Sequence, residues 1–248
     1  MFNRSLVFLY GIACYILSLA TFVYFAGFLV NLYVPRSMDS APDGDIATSV
    51  VVDLFLVLLF SLQHSVMARP GFKRWWATVV PEAAERSTYL LASDLALILL
   101  FAYWRPLGGN IWSVQGAAAS ALYGVYAFGW ILLVASTFFI DHFDLFGLRQ
   151  IWRHLLDKDC QPVGFRLSGP YRLVRHPIYV GWLIIFWATP TMTVTHLLFA
   201  TAVSVYIFVA IRFEERDLID GLGDAYREYR RKVPMLIPFA PVKGGRGD

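Results

Sequence analysis

The sequence predicts an all-α integral membrane protein, a bundle of five to six transmembrane helices with a C-terminal helical hairpin and a cytosolic cofactor site. Of the 248 residues, 58% are hydrophobic, and they form long blocks instead of the amphipathic stripes of a soluble fold. Such a bundle needs about 20 apolar residues per span and uses nearly the whole chain. We therefore expect one membrane domain over residues 1–248, divided into a four-helix part at 1–140 and a cofactor-binding part at 141–248.

Six apolar segments follow one another along the chain: Leu6 to Val34, Thr48 to Met67, Ser87 to Trp104, Ala118 to Ile140, Ile178 to Pro190 and Val194 to Ile211. The fifth is short, since its residues at about 1.5 Å each reach roughly 20 Å, against a hydrocarbon core of about 30 Å. Pro190 interrupts the helical pattern before the sixth segment begins. The fifth and sixth segments are therefore expected to form a tight hairpin or one broken element.

The basic residues are unevenly distributed between the two sides of the predicted bundle. All but two of the 21 Lys and Arg residues lie at the N-terminus, in the loops after the second and fourth segments, and in the C-terminal tail. The exceptions are Arg36 and Arg105. Because Lys and Arg concentrate on the cytosolic side, both termini are expected to face the cytosol at the cell membrane. No basic stripe indicates nucleic acid as a partner.

The motifs of soluble cofactor and hydrolase folds are missing from the sequence. It contains no dinucleotide-binding Gly loop, phosphate-binding loop, zinc-protease helix or nucleophile elbow. The two cysteines, Cys14 and Cys160, provide neither a disulfide framework nor a metal site. Any cofactor must therefore be held by helix ends and by the polar stretches at 141–177 and 212–248, which are expected on the same side of the membrane.

The densest polar motif lies at the start of the fifth segment. Pro177 suits the first turn of a helix, so His176 precedes that helix near its free backbone N–H groups, where a carboxylate is favoured. Arg175 adds positive charge, and Gly181 allows a ligand or another chain to approach closely. Anchoring at the membrane boundary is an equally good explanation of the same residues.

A second polar motif, at residues 212–218, ends the last apolar segment. Glu214 and Glu215 could accept hydrogen bonds from hydroxyl or amino groups of a ligand, while Arg212 is oriented by local pairing. A solvated, charged helix end is the simpler explanation of this motif when it is taken alone.

The C-terminal tail contains one further predicted helix, at residues 224–232. Gly223 precedes it as a helix breaker, and Pro234 follows it as a stop. Tyr226 and Tyr229 are three residues apart and share one face. That face could close over a ligand or pack into a core.

Residues 175–181, 214–218 and 226–229 together, and in this order, resemble the isoprenylcysteine carboxyl methyltransferase superfamily. In that superfamily these stretches surround S-adenosylmethionine at the membrane face. The resemblance therefore implies S-adenosylmethionine as the cofactor, held by Tyr171, Arg175, His176, Tyr179, Gly181, Arg212, Glu214, Glu215, Tyr226 and Tyr229.

Residues 63–70, 85–89 and 142–150 resemble the nurim-related branch of the same superfamily, so the likeness extends over most of the chain. It implies methylation of a small thiol, with methanethiol converted to dimethyl sulfide. Two alternatives stay open: methylation of a prenylcysteine carboxylate, and a noncatalytic, nurim-like structural role in the membrane. The missing dinucleotide loop disfavours a reductase.

A thiol acceptor needs a means of deprotonation, because the thiolate is the nucleophile and a free cysteine thiol has a pKa of about 8.5. His142 and Asp144 begin the polar stretch after the fourth segment and are the predicted catalytic bases, with His64 in reserve. Phe143 and Phe146 are expected to line a small apolar pocket for the thiol.

Asp94 is the clearest ionisable residue at membrane depth, near the middle of the third segment. A charged group is costly in hydrocarbon and normally faces a bundle interior or a cavity. A structural hydrogen bond and a functional role are equally consistent with Asp94. The sequence predicts neither a metal ligand set nor an oligomeric state.

Overall fold

The computed structural model describes residues 3–42, 44–160 and 167–241. These residues are mainly helical, with two short 3₁₀ turns at Glu82–Ala84 and Gly169–Arg172. The remaining elements are, in chain order, α1 (Arg4–Val30), α2 (Ile46–Ala68), α3 (Pro70–Trp76), α4 (Glu85–Tyr103), β1 (Asn110–Ser113), α5 (Gly116–Ile140), α6 (His142–Leu145), α7 (Leu148–Leu155), α8 (Pro177–Trp187), β2 (Thr191–Thr193), α9 (Val194–Leu222) and α10 (Asp224–Lys232).

Five helical segments are long and apolar enough to cross a membrane, and the predicted all-α membrane fold is confirmed. The first helix ends earlier than its apolar segment, because Asn31 adopts a left-handed φ of 59° and its backbone N–H bonds to the carbonyl of Gly27. The last long helix, α9, instead continues beyond Ile211 to Leu222. Its apolar part and its charged C-terminal turns therefore form one continuous helix.

The short fifth segment forms helix α8, whose 11 residues extend about 16 Å at 1.5 Å per residue. Its helix ends before Pro190, which has no backbone N–H to continue a helix. Strand β2 follows and pairs antiparallel with β1, with Asn110 opposite Thr193 and Ser113 opposite Thr191. The break after α8 was predicted, but the strand pairing was not.

The chain divides into two compact units that do not follow its linear order. Unit 1 comprises Met1–Ser113, Asp141–Val163 and Thr191–Ala202, and unit 2 comprises Val114–Ile140, Gly164–Pro190 and Val203–Asp248. Helix α5, which the sequence analysis assigned to the N-terminal part, thus belongs to unit 2. The division at residue 140 and the single domain stay predictions.

Unit 1 is held together by an aromatic core. The rings of Phe28 and Phe101 have centroids 5.1 Å apart, and those of Trp104 and Phe199 are 5.6 Å apart. Trp104 is only 1% exposed, and its Nε1 donates to the carbonyl of Met38. Because buried aromatic rings contribute large apolar areas, this core joins the ends of α1 and α4 to the start of α9.

Unit 2 depends on close packing between α5 and α8. A Cβ atom added at Gly181 would lie 2.9 Å from Cβ of Leu133 and 3.0 Å from the carbonyl oxygen of Gly129. These distances are too short for ordinary contact, so the two helix backbones approach more closely than any larger residue would allow. The structure therefore accounts for Gly181 by helix packing.

Candidate functional site

The N-terminus of α8 is joined to the C-terminal tail by backbone hydrogen bonds within unit 2. The N–H of Arg175 donates to the carbonyl of Pro234 at 2.9 Å, and the N–H of His176 donates to that of Met235 at 3.2 Å. Pro177 occupies the first turn of α8, as predicted, and His176 is its N-cap residue. This pairing brings the first polar motif and the C-terminal tail together.

Two basic side chains share the carboxylate of Glu215. Nε of Arg175 donates to Oε1 of Glu215 at 2.7 Å, and Nε2 of His176 lies 3.1 Å from the same oxygen. Nη1 of Arg175 also donates to the carbonyls of Val233 and Arg230. Glu215 is only 8% exposed, and a buried charge persists only when it is paired and hydrogen-bonded. We call Arg175, His176 and Glu215 the charged triad.

Glu214 has a different environment from its neighbour Glu215. Its Oε2 accepts a hydrogen bond from the hydroxyl of Tyr179 at 2.9 Å, and its Oε1 lies 4.0 Å from Nδ1 of His176. The Glu214 side chain is 41% exposed. It is therefore the carboxylate of the pair that an incoming ligand can reach, while Glu215 holds the charged triad together.

Three tyrosines pack beside the charged triad. The rings of Tyr226 and Tyr229 lie 5.7 Å apart, and the Tyr229 hydroxyl donates to the carbonyl of Tyr171 at 2.6 Å. Burial raises the pKa of Tyr229 to about 12, and it also raises the pKa values of Tyr171 and Tyr226. All three phenols are therefore protonated near neutral pH and can act as hydrogen-bond donors.

The Tyr171 hydroxyl is buried and has no hydrogen-bond partner among the residues that the structure describes. A buried donor without a partner costs roughly 1–3 kcal/mol. Such a group is satisfied when a ligand with an acceptor atom binds beside it. Tyr171 is thus one member of the predicted set that could make a direct contact with a polar ligand.

The structure brings most of the predicted cofactor residues together in unit 2. One set of contacts joins Arg175, His176, Tyr179, Glu214 and Glu215, and a second set joins Tyr171, Tyr226 and Tyr229. Arg212 lines a pocket of ≈330 Å³ together with Glu215 and Arg230. Gly181 is committed to packing against α5. Whether any of these residues binds a cofactor stays a prediction.

The predicted base His142 lies in unit 1, at the start of α6. Its Nε2 is 2.9 Å from the hydroxyl of Tyr15, and its ring centroid is 4.6 Å from that of Phe146. Burial lowers the pKa of His142, and the charge of Asp141 partly opposes this effect. The imidazole is therefore neutral near pH 7 and has one ring nitrogen that can accept a proton.

The other predicted catalytic and substrate residues have distinct settings in unit 1. Asp144 accepts hydrogen bonds from Arg149 and Gln150, both at 3.2 Å. Phe146 is 8% exposed and packs on the ring of His142, whereas Phe143 is 55% exposed. The structure thus leaves Phe146 as the better candidate for an apolar wall next to His142.

Two polar residues in the long helices of unit 1, His64 and Asp94, have structural partners. His64 stacks on Phe60 with ring centroids 5.2 Å apart, and its Nε2 is 2.8 Å from the hydroxyl of Tyr89. Oδ2 of Asp94 accepts a hydrogen bond from Ser18 at 2.6 Å. These contacts favour the structural explanation for both residues.

Sequence reasoning missed two features of these sites. Tyr15 was not singled out, although a tyrosine within the apolar first segment was a visible signal. The carbonyl groups of Val233, Pro234 and Met235 left no signal, because any residue type supplies a backbone acceptor. Within the described ranges, no group of His, Cys, Asp and Glu could hold a metal ion.

A family model matches part of the chain. The model of the isoprenylcysteine carboxyl methyltransferase (ICMT) family matches residues 130–220. This range includes the charged triad and Glu214 but ends before α10. The membrane-protein character of that family agrees with the five apolar helices.

Several curated proteins resemble nearly the whole chain. A protein named methanethiol S-methyltransferase from Crocosphaera subtropica is 48% identical over 97% of this chain and 95% of its own length. One of the same name from Mycobacterium tuberculosis is 49% identical over 96% of this chain and 98% of its own length. Nurim from Rattus norvegicus is 30% identical over 71% of this chain and 70% of its own length. No solved structure was found to match.

Proposed function

Because the chain belongs to the methanethiol S-methyltransferase family, we propose that this membrane methyltransferase converts methanethiol to dimethyl sulfide with S-adenosylmethionine as the methyl donor. Identities of 43% to 49% with six proteins of that name support the acceptor. The observation that carries the donor site is the charged triad with the exposed carboxylate of Glu214 beside it.

In the proposed donor site, some residues hold the local structure in place and others contact the ligand. Arg175 and His176 are engaged with Glu215, so their first effect is to orient the start of α8. Glu214 can accept hydrogen bonds from amino or hydroxyl groups of a ligand, and the Tyr171 hydroxyl can donate one. These groups fit the amino, carboxylate and ribose groups of S-adenosylmethionine, which would supply a methyl group on a positively charged sulfur.

His142 is our proposed general base for the thiol. Its neutral imidazole can accept a proton near pH 7, while the Asp144 carboxylate is already bonded to Arg149 and Gln150. The hydrogen bond between His142 and Tyr15 orients the ring. Phe146 supplies an apolar surface suited to a one-carbon thiol.

Kinetics of His142→Gln test this role. General base catalysis is worth about 100-fold or more, so turnover should fall by that order near neutral pH, with donor affinity retained. The defect should shrink as pH rises, because the thiol then ionises unaided. A defect that stays constant with pH would exclude His142 as the base; His154→Gln on α7 is the control.

The proposed orientation places both termini in the cytosol of the cell. Strand β2 pairs with β1, which follows α4, so the chain reaches the same side after α8 as after α4. Helix α9 then returns it, giving an even number of crossings. Cysteine labelling of Ser40→Cys in intact cells should succeed from outside, whereas protection there with labelling only after lysis contradicts the orientation.

An acceptor panel tests the function itself. The purified chain is incubated with S-adenosylmethionine labelled in the methyl group and with methanethiol, longer thiols, hydrogen sulfide or a prenylcysteine. We expect label in dimethyl sulfide and little transfer to prenylcysteine. Preferential labelling of the prenylcysteine would replace the proposal with carboxyl methylation, and absence of donor binding would favour a structural, nurim-like role.

A further inference from the structure

A second concave surface in unit 2 has a different chemistry from the donor site. It is a groove of ≈560 Å³ between α8, α9 and the segment after α10. Its walls are mainly apolar, with Val180, Leu183, Ile184, Phe208, Met235 and Leu236 among them. We call it the tail groove.

The tail groove does not suit the methyl donor or the thiol. Besides two arginines, its lining side chains are all apolar, so a ribose or an amino group would lose hydrogen bonds to water without replacement. A one-carbon thiol would fill only a small part of the volume. The shape and polarity instead suit a long apolar chain that carries one polar end.

Positive charge is concentrated at one end of the tail groove. Arg175 lies there but donates to Glu215 and to two backbone carbonyls. Arg230 is the second arginine; its side chain is 50% exposed, and its Nε forms a long ion pair with Oε2 of Glu215 at 3.8 Å. That distance is too long for a hydrogen bond, and the guanidinium of Arg230 makes none to the residues described. Its planar donors match a phosphate group.

The surface beside the tail groove is unusually apolar for a segment outside the long helices. Ile237, which lines the groove, is 70% exposed, and Phe239 is 91% exposed. In a membrane protein such side chains lie in the lipid at the boundary with water. The groove therefore opens where lipid acyl chains and headgroups are both available.

We propose that the tail groove binds an anionic phospholipid of the surrounding membrane. One acyl chain lies against Leu183 and Phe208, and the phosphate is bound by Arg230. Charge complementarity selects this occupant, because basic pockets at the membrane surface bind anionic headgroups. Binding would attach the C-terminal tail to α8 and α9 and thereby stabilise unit 2.

Lipid binding to the delipidated full-length chain tests this proposal without any methyl donor. The probes are dioleoylphosphatidylglycerol, dioleoylphosphatidylcholine and glycerol 3-phosphate, and the readouts are bound lipid by native mass spectrometry and the midpoint of thermal unfolding. The anionic lipid should bind at least about tenfold more tightly than the zwitterionic one, a difference of about 1.4 kcal/mol. Glycerol 3-phosphate alone should give no shift, because it cannot occupy the apolar walls.

Two pairs of variants test separately how the charge and the apolar walls contribute to lipid binding. Arg230→Gln should weaken phosphatidylglycerol binding about tenfold, whereas Arg227→Gln, whose arginine pairs with Asp224 at 2.9 Å, should not. Leu183→Trp should fill the groove and reduce binding of the same lipid, whereas Ile131→Trp, at a 65% exposed position of α5, should not. Circular dichroism verifies that each variant is folded.

Three results would overturn the proposal. The first is equal affinity for the two lipids, which would remove the role of charge. The second is a set of groove variants that bind lipid like their controls. The third is equal stabilisation by glycerol 3-phosphate, which would identify a site for a free phosphate group instead of a lipid.

Discussion

Unit 2 contains a network of side chains centred on Glu215, whereas two buried polar side chains of unit 1, His142 and Asp94, take part in separate hydrogen bonds. In unit 2, Glu215 binds both Arg175 and His176, and Arg175 continues to the backbone of the tail. In unit 1, the pair of His142 and Tyr15 and the pair of Asp94 and Ser18 lie in different places.

The two arrangements should lose different amounts of stability when a single side chain is replaced. Loss of one member of a buried charged network leaves the others uncompensated, at a cost of about 3–5 kcal/mol. Loss of one neutral hydrogen bond costs about 1 kcal/mol. We therefore expect the site of unit 2 to fail as a whole, and the polar pairs of unit 1 to respond one at a time.

The largest expected effect is that of Glu215→Ala. The variant leaves Arg175 and His176 without their shared carboxylate, so it should lower the free energy of unfolding by about 3–5 kcal/mol and abolish donor binding. Thermal and denaturant unfolding in detergent measure the first effect, and labelled donor measures the second. The control is Glu228→Ala, which removes only an exposed pair with Lys232 and should leave stability nearly unchanged, because exposed ion pairs contribute little.

A double variant sharpens the same test. Adding Arg175→Met to Glu215→Ala removes the uncompensated arginine as well, so part of the lost stability should return, although donor binding should not. If the double variant is less stable than the parent protein by the sum of the two single effects, the residues act independently and the proposed network does not exist.

Gly181→Ala is expected to have an intermediate effect. The new Cβ would force α5 and α8 apart, at a cost of about 1–3 kcal/mol. Gly124→Ala is the matched control in α5, since nothing lies within 4 Å of the position that its Cβ would take; it should be neutral or stabilising by up to about 1 kcal/mol. A loss of donor affinity at full stability would instead support the cofactor role implied by the family resemblance.

Tyr15→Phe should have a small effect on unit 1. It removes the hydrogen bond to His142 but keeps the ring that packs against Phe146, so the expected loss is about 1 kcal/mol. Tyr103→Phe, at a 61% exposed position, is the control for removal of a hydroxyl. A loss as large as that of Glu215→Ala would contradict the contrast between the units.

The smallest expected effect is a pH dependence of stability due to His142. Burial lowers its pKa in the folded chain, so the unfolded chain binds more protons below the ordinary value of about 6.5. Stability should therefore be retained above that value and fall as pH decreases through it. His142→Gln should reduce the slope of stability against pH in this window, and an unchanged slope would show that His142 does not cause it.

The sequence alone determined the helices that enter and leave the membrane, including short α8 and the limits of α10 at Asp224 and Lys232. Apolar block length and the positions of Pro and Gly are local properties, and they suffice for local structure. The two motifs of the site were also visible, because charged residues next to apolar blocks are conspicuous.

Only the tertiary structure decided which groups meet. The sequence treated Glu214 and Glu215 alike, but folding directs Glu215 to Arg175 and leaves Glu214 more exposed. The sequence also did not decide whether a ligand or another part of the chain lies against Gly181, and the structure shows that α5 does. Strand pairing depends on contact between segments that are distant in sequence, and so do hydrogen bonds to backbone carbonyls such as that of Val233. No side-chain pattern predicts these contacts, because every residue type supplies a backbone carbonyl.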